Sequence, residues 1–261
     1  MGAHEGAIVA TRSKHATATV MAMQVCVLGG FEVRRERELV ALPLNAQRLV
    51  GFLVVRERPQ LRLTVAASLW QDTTQARAAA NLRTALWKIR QECGNLVRAD
   101  RNYLSLDETT TVDLAQLLAQ ARRLIDPDEV LTPADVSTRG LIGDLLPDFD
   151  EEWIRFEQER LRQLRIHALE SLCRRLSAWG RHAEAIDAGQ AAVAAEPLRE
   201  SAQHALIAAH LAEGNVCEAK RQFGLYRDLL WESLRLIPSI ALNELVTRTR
   251  DAQSNDALTH R

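Results

Sequence analysis

Several features that mark enzymes and metalloproteins are missing from this chain of 261 residues. Its four cysteines form no CxxC pair and have no histidine at zinc-ligand spacing, so we predict neither a metal site nor a disulfide framework. The phosphate-cradling motif GxxxxGK(S/T) does not occur, and no serine or cysteine has an evident base partner. We therefore predict that the protein is not an enzyme and needs no cofactor.

Long apolar stretches are also missing. No run approaches the length of a membrane span, and residues 1–23 lack the apolar segment of a secretory signal. We expect a cytoplasmic protein with no membrane contact, in which residues 1–23 form a disordered tail. Met21 and Met23 are alternative starts of translation.

Aromatic residues make up only 5% of the chain against 47% hydrophobic residues, which is typical of Ala- and Leu-rich helical proteins. The net charge of −1 hides an uneven distribution. Residues 24–107 hold 13 Lys and Arg against 8 Asp and Glu, whereas residues 108–261 hold 18 against 25. This asymmetry favours a front half that approaches a polyanion and a back half that does not.

The stretch 76–91, ARAAANLRTALWKIRQ, predicts an amphipathic helix. Its leucines and isoleucine, with Cys93 beyond, fall on one face that should meet a core. The opposite face has no acidic residue and presents cations, an amide and a hydroxyl, which suits contact with base edges in the DNA major groove. That face holds Arg77, Ala80, Thr84, Trp87, Lys88 and Gln91, with Asn81 on its flank.

Residues 24–110 predict a winged helix: a small antiparallel sheet, three helices and a hairpin. The first helix should span 46–56 with Asn45 as its N-cap, and a strand at 61–63 should precede a second helix capped by Thr64. Gly94 is placed to end the third helix. The fold class predicted is mainly α, with small antiparallel sheets confined to this N-terminal domain.

A hairpin of strands 96–98 and 103–106 should form the wing. Asn102 tolerates a left-handed backbone and suits its turn. Arg98 and Arg101 are placed to approach a phosphate or the minor groove. The alternative is that these arginines only keep an edge hairpin soluble.

Residues 111–250 predict an all-α domain, followed by a C-terminal tail at 251–261. Asp113 should cap a helix over 114–124. A long helix should start near Glu151, capped by Asp148 or Asp150, with a break near Arg165. Small and apolar positions then recur at an offset of 34 residues, which is the period of tetratricopeptide repeats: Ala168 and Ala202, Leu172 and Leu206, Ala178 and Ala212, Gly180 and Gly214, Glu184 and Glu218, Ala185 and Ala219. A longer last helix is expected because Trp231 replaces the proline that ends the first repeat, Pro197.

The whole of 24–250 resembles the SARP-type bacterial transcriptional activators, which join a response-regulator-type winged helix to a bacterial transcriptional activation domain of tetratricopeptide-like repeats. The order of the matching segments is more specific than any one of them. They are VCVLGGFEV, LTVAASLW, ARAAANLRTALWKIRQ, GDLLPDFDEEWIRFEQERLRQLRIHALESL, GRHAEAIDAGQAAVAAEPLRESA and GNVCEAKRQFGLYRDLL.

This resemblance implies binding to direct repeats in double-stranded promoter DNA as a homodimer, and recruitment of RNA polymerase through its sigma factor or alpha subunit. It places base contacts on Asn81, Thr84 and Lys88. Positions nearer the DNA backbone are Arg77, Arg83, Trp87 and Arg90. The turn 71–75 is implied as a polymerase-facing loop. No receiver domain precedes the winged helix, so control by phosphorylation within this chain is not expected.

The chain departs from many such relatives at Asn102, where they carry a glycine before the wing tyrosine. A different class of function remains as the alternative: a tetratricopeptide adaptor whose winged helix contacts protein rather than DNA. The basic front half and the acid-free face of the third helix argue against it.

Overall fold

The computed structural model describes residues 22–247. Three predicted parts lie wholly or partly outside the described residues: the tail at 251–261, most of the tail at 1–23, and residues 248–250 of the repeat domain.

Two small sheets and three helices form the N-terminal part, in the predicted order. The first sheet has the strand order β3-β2-β1-β7, and the second has the order β4-β6-β5. The elements up to the wing are β1 Met23–Cys26, β2 Glu32–Arg35, β3 Glu38–Leu39, α1 Leu44–Arg56, β4 Gln60–Leu61, α2 Arg62–Leu69, α3 Gln75–Cys93, β5 Val97–Ala99 and β6 Tyr103–Leu106.

The predicted caps of α1 and α2 are wrong. Helix α1 begins at Leu44 because the carbonyl of Pro43 accepts hydrogen bonds from two N–H groups of the first turn, so Asn45 lies inside the helix. Helix α2 begins at Arg62, whose N–H donates to the carbonyl of Asn102 in the wing turn. Pairing of β4 with β6 therefore shortens the predicted strand at 61–63 and places Thr64 inside α2.

A strand that the sequence did not predict, β7 (Thr111–Val112), pairs in parallel with β1. Two residues are too few for an alternating pattern to appear. Asp113, predicted as a cap, is instead the first residue of α4, Asp113–Ile125, and the N-cap is Val112. Its carboxylate accepts hydrogen bonds from the N–H groups of Val27 and Leu28 at 3.0 and 3.1 Å. Burial raises the pKa of Asp113, although these N–H donors oppose the shift.

The rest of the described chain is helical after an irregular segment with one 3-10 turn. These elements are the 3-10 turn Thr138–Leu141, α5 Glu152–Ala178, α6 His182–Ala195, α7 Glu200–Ala212 and α8 Val216–Leu234. Residues 240–247 are also helical. As expected, α8 is longer than α6, with 19 residues against 14.

Helix α5 is continuous, so the predicted break near Arg165 is wrong. The buried guanidinium of Arg165 donates to the carbonyls of Leu141 and Gly143 and pairs with Asp144 at 2.8 Å, which satisfies it without bending the helix. The N-cap of α5 is Glu151 with no side-chain cap, rather than Asp148 or Asp150.

Helical hairpins lie where the 34-residue offset places them. Gly180 and Gly214 form the α5–α6 and α7–α8 turns with φ of +74° and +86°, a conformation that favours glycine. Ala185 and Ala219, one turn later, are fully buried where helices approach closely. Assignment of these hairpins to the tetratricopeptide family stays a prediction.

One continuous apolar core joins the two parts of the molecule. It runs from the first sheet through α1 and α3 to α5 and α7. At its centre the rings of Phe52 on α1 and Trp153 on α5 lie 5.3 Å apart, and Phe149 packs beside them. The winged helix is therefore held against the helical part by buried aromatic side chains.

Candidate nucleic-acid interface

Helices α2 and α3 form a helix-turn-helix with a tight turn at residues 70–74. The Thr73 hydroxyl donates to the carbonyl of Trp70 at 3.0 Å, and the Thr74 hydroxyl accepts from the N–H of Arg77 at 3.4 Å. Thr74 is thus the N-cap of α3, and Gly94 ends the helix with φ of +65°, as predicted. The caps at these two ends fix where α3 begins and where it ends.

The apolar stripe of α3 faces the core, as the sequence predicted. Leu82, Ile89 and Cys93 are buried, whereas Leu86 is half-buried. Ala78 and Ala85 complete the buried stripe, and their small side chains let α3 pack closely against α1 and α2.

The opposite face of α3 is open. The predicted contact residues on it are exposed, apart from Asn81 and Lys88, which are half-buried. The exposed ones are Arg77, Arg83, Thr84, Trp87, Arg90 and Gln91. Their placement agrees with the helical periodicity, and their contacts with DNA stay predictions.

Trp87 and Lys88 form a small cluster with Gln91. The indole is 58% exposed, and the Lys88 Nζ lies 4.6 Å from its ring centroid and 3.4 Å from the Gln91 Oε1. The ammonium group of Lys88 thus lies over the face of the indole. The Thr84 hydroxyl already donates to the Ala80 carbonyl at 3.2 Å, so this side chain is left to accept a hydrogen bond or to offer its methyl group.

Three arginines on this helix carry uncompensated charge. Within the described part of the chain, Arg77, Arg83 and Arg90 make no side-chain hydrogen bond or ion pair. Most other arginines of the fold are paired with carboxylates or carbonyl oxygens. An exposed, unpaired guanidinium on a rigid helix is suited to bind an anion.

The wing is the hairpin β5–β6, and its turn differs from the expected one. Asn102 does not adopt a left-handed backbone. The Asp100 carboxylate instead accepts hydrogen bonds from the N–H groups of Asn102 and Tyr103 at 2.8 and 2.6 Å, which lowers its pKa. This side-chain turn replaces the need for a glycine. Arg101 and Asn102 are exposed at its tip.

Arg98, the other predicted wing contact, is held by two carboxylates. Its guanidinium lies 2.9 Å from both Asp107 and Glu108. Asp107 is fixed in turn by Thr109, whose hydroxyl and N–H lower its pKa together with Arg98. The charge of Arg98 is therefore compensated, whereas the side chain of Arg101 makes no hydrogen bond or ion pair among the described residues.

A groove of about 680 Å³ separates α3 from the wing. Four arginines line it: Arg62, Arg83, Arg90 and Arg98. Sequence reasoning missed Arg62, which starts α2 and reaches the carbonyl of Asp100 at 3.5 Å. Only the pairing of β4 with the wing brings it beside α3, so the periodicity of the helices gave no signal for it.

No cluster of potential metal ligands occurs among residues 22–247. Within the same range, no helix is both long enough and apolar enough to cross a membrane.

Residues 112–250 match the family model of the bacterial transcriptional activator domain. The chain belongs to this family, and it is a transcriptional regulator of the SARP type. This is a family of regulators and not of enzymes. The match begins at β7, the strand that closes the first sheet.

Two relatives are regulatory proteins named AfsR. The chain is 28% identical over 249 residues to that of Streptomyces griseus and 29% identical over 245 residues to that of Streptomyces coelicolor. These matches cover 91% and 88% of this chain but only 25% and 24% of the relatives. The chain thus spans about a quarter of the length of the curated relatives it matches.

The fold is similar to that of Mycobacterium tuberculosis EmbR, solved in complex with a low affinity phosphopeptide. The TM-score is 0.66 at 19% identity, over 87% of this chain and 64% of that chain. This likeness supports the fold class predicted from the sequence, a mainly α chain with small N-terminal sheets.

Proposed function

We propose that this regulator binds double-stranded promoter DNA, with α3 in the major groove and the wing over the adjacent backbone. The observation that carries the proposal is the open face of α3 with its three unpaired arginines, on which the single acidic residue of the helix, Glu92, comes only in the last turn. Exposed cations on a rigid helix can replace the counterions condensed on a phosphate backbone, and release of those counterions favours binding.

The contacts divide by position on α3. Asn81, Thr84 and Lys88 lie toward the centre of the face and contact base edges, where an amide, an acceptor hydroxyl and an ammonium can distinguish bases. Arg77, Arg83 and Arg90 lie around them and contact phosphates, which fix the register without specifying sequence. Trp87 and Gln91 orient Lys88 and complete the surface.

In this arrangement the groove between α3 and the wing receives one DNA strand. This DNA strand meets Arg62 from α2 and Arg83 and Arg90 from α3. Arg101 and Asn102 reach the same strand from the wing tip. Arg98 contributes only when its two carboxylates release it.

The regulator acts in the cytoplasm as a homodimer on direct repeats, and it recruits RNA polymerase through the sigma factor or the alpha subunit. The turn between α2 and α3 supports this part of the proposal, because Gln71, Asp72 and Thr73 are exposed beside the DNA-binding face. A contact there would place polymerase next to the bound promoter.

A binding titration tests the proposal. A duplex enriched from a random library by the full chain is titrated by fluorescence anisotropy at 50 and 200 mM salt, with a shuffled duplex as control. We expect specific binding that weakens by about 10³-fold or more between the two salt concentrations if six or more phosphates are contacted. Binding that is absent or insensitive to salt would favour the adaptor function instead.

A further inference from the structure

A second cavity, of about 440 Å³, lies at the junction between the winged helix and the helical part. It is formed by the end of α1, the end of β6, and β7 with the start of α4. Its wall is mostly apolar and includes Leu53, Val54, Leu106, Val112 and Leu114. This volume and lining are typical of sites that bury a small organic molecule.

One polar group in the wall has no partner. Thr110 lines the cavity, and its Oγ1 is fully buried without a hydrogen bond in the described part of the chain. An oxygen that is fully buried cannot be reached by an occupant of the cavity, so the cavity presents mainly its apolar wall. An apolar wall around a volume of this size matches a small ring system.

The rim of the cavity is acidic and belongs also to the wing. Glu57, Asp107 and Glu108 line it against a single cation, Arg58. Asp107 and Glu108 are the carboxylates that hold Arg98. Glu108 is 84% exposed and makes no other hydrogen bond or ion pair within the described part of the chain. A cation placed at this rim would compete with Arg98 for both of them.

We propose that this cavity binds a small cationic amphiphile, an apolar ring system with a primary amine, and that its amine displaces Arg98 from Asp107 and Glu108. The apolar body fills the space between Leu53 and Leu114, and the amine sits at the rim. Arg98 is then free to face the groove between the wing and α3. The coupling of ligand to DNA rests on the proposed function, whereas binding of the ligand does not.

Calorimetric titration of the full chain with 2-naphthylmethylamine tests the site, with 2-naphthoate as the anionic counterpart. Ala115 lines the cavity from an exposed position on α4, and Ala119 is exposed one turn later, outside the cavity. We expect A115W to weaken amine binding at least tenfold and the matched variant A119W to leave it unchanged, with melting curves confirming that both variants fold. The acid should bind at least tenfold more weakly than the amine.

Equal binding by A115W and A119W would overturn the site, as would the absence of amine binding to the unmodified chain. Equal affinity for amine and acid would overturn the ligand class.

The effect of the bound amine on Arg98 is tested separately, by measuring DNA affinity with and without the amine. We expect the amine to raise affinity for a non-specific duplex about threefold to tenfold at 50 mM salt, and E108Q to reproduce part of this gain without ligand. An amine that binds and leaves DNA affinity unchanged would overturn the coupling alone. A chain that binds the amine and no DNA at all would overturn the proposed function and leave the site standing.

Discussion

The guanidinium of Arg48 on α1 lies 2.5 Å from the carboxylate of Glu151 at the start of α5, and it also donates to the carbonyl of Leu69 at the end of α2 at 2.7 Å. One side chain therefore ties together the first helix of the winged helix, the helix-turn-helix and the first long helix of the activator domain. Both charged groups are largely buried, so solvent screens the ion pair only in part.

Arg48→Ala is expected to destabilise the protein by about 1–3 kcal/mol, because it leaves Glu151 without its opposite charge and the Leu69 carbonyl without its donor in a partly buried site. Chemical denaturation followed by circular dichroism measures the change. The matched control is Arg155→Ala, which removes an exposed pair with Asp150 and should cost less than about 1 kcal/mol. Equal effects of the two variants would contradict the bridging role of Arg48.

Trp153→Ala is expected to lower the free energy of unfolding by about 3–5 kcal/mol, because the indole fills the space between α1 and α5. The winged helix and the helical part should then no longer unfold in one shared transition. Trp179→Ala, at a half-exposed indole, serves as the control and should cost less than about 1 kcal/mol. Thermal melts by circular dichroism report both values. A W153A protein as stable as W179A would mean that the aromatic contact does not hold the two parts together.

Lys88→Ala is expected to cost about 1–3 kcal/mol of binding to the specific duplex and to relax preference at one position, because a base contact is lost. Lys220→Ala, on α8 in the activator domain, is the charge-matched control and should leave affinity unchanged. Anisotropy titrations against duplexes with single base changes measure the preference. Unchanged specificity in K88A would refute the assignment of Lys88 to a base.

Arg62→Ala and Arg83→Ala are each expected to weaken binding to all duplexes, because each removes a phosphate contact. Each should also reduce the slope of log affinity against log salt concentration by about one. The comparison variant is Arg221→Ala, in a pair with Glu218 far from the winged helix. Titrations at four salt concentrations give the slopes. A sequence-dependent loss in R62A, or an unchanged slope, would argue against a phosphate role.

Acid should destabilise the loop that follows α4. Asp135 is only 1% exposed and is held by Arg123 and by Thr132, which lower its pKa to about 2. A carboxyl whose folded pKa lies below its unfolded value near 4 stabilises the protein above that value, and this contribution is lost as the pH falls toward 2. Urea denaturation at pH 5 and pH 3 should show a smaller drop in stability for Asp135→Asn than for the unmodified chain. Identical drops would contradict this role.

Long elements with clear periodicity could be predicted from the sequence. The face of α3 follows from the spacing of Leu82, Ile89 and Cys93, and the helical hairpins follow from glycines 34 residues apart. Short or cooperative features could not: β7 exists because β1 offers an edge, and α2 starts at Arg62 because the wing turn accepts its N–H. The cap assigned to Thr64 failed for the same reason, since the wing turn sets where α2 begins. The cap assigned to Asn45 failed for a local reason, since α1 begins directly after Pro43.

Local patterns alone thus determined which helices form and which side of α3 meets the core, because burial of an apolar stripe needs only the sequence of one segment. The tertiary structure decided which charges stay free. Arg98 and Arg101 look equivalent in the sequence, but only the fold brings Asp107 and Glu108 onto one of them. Ion pairing depends on distances between segments, and those distances are set by packing of the whole chain.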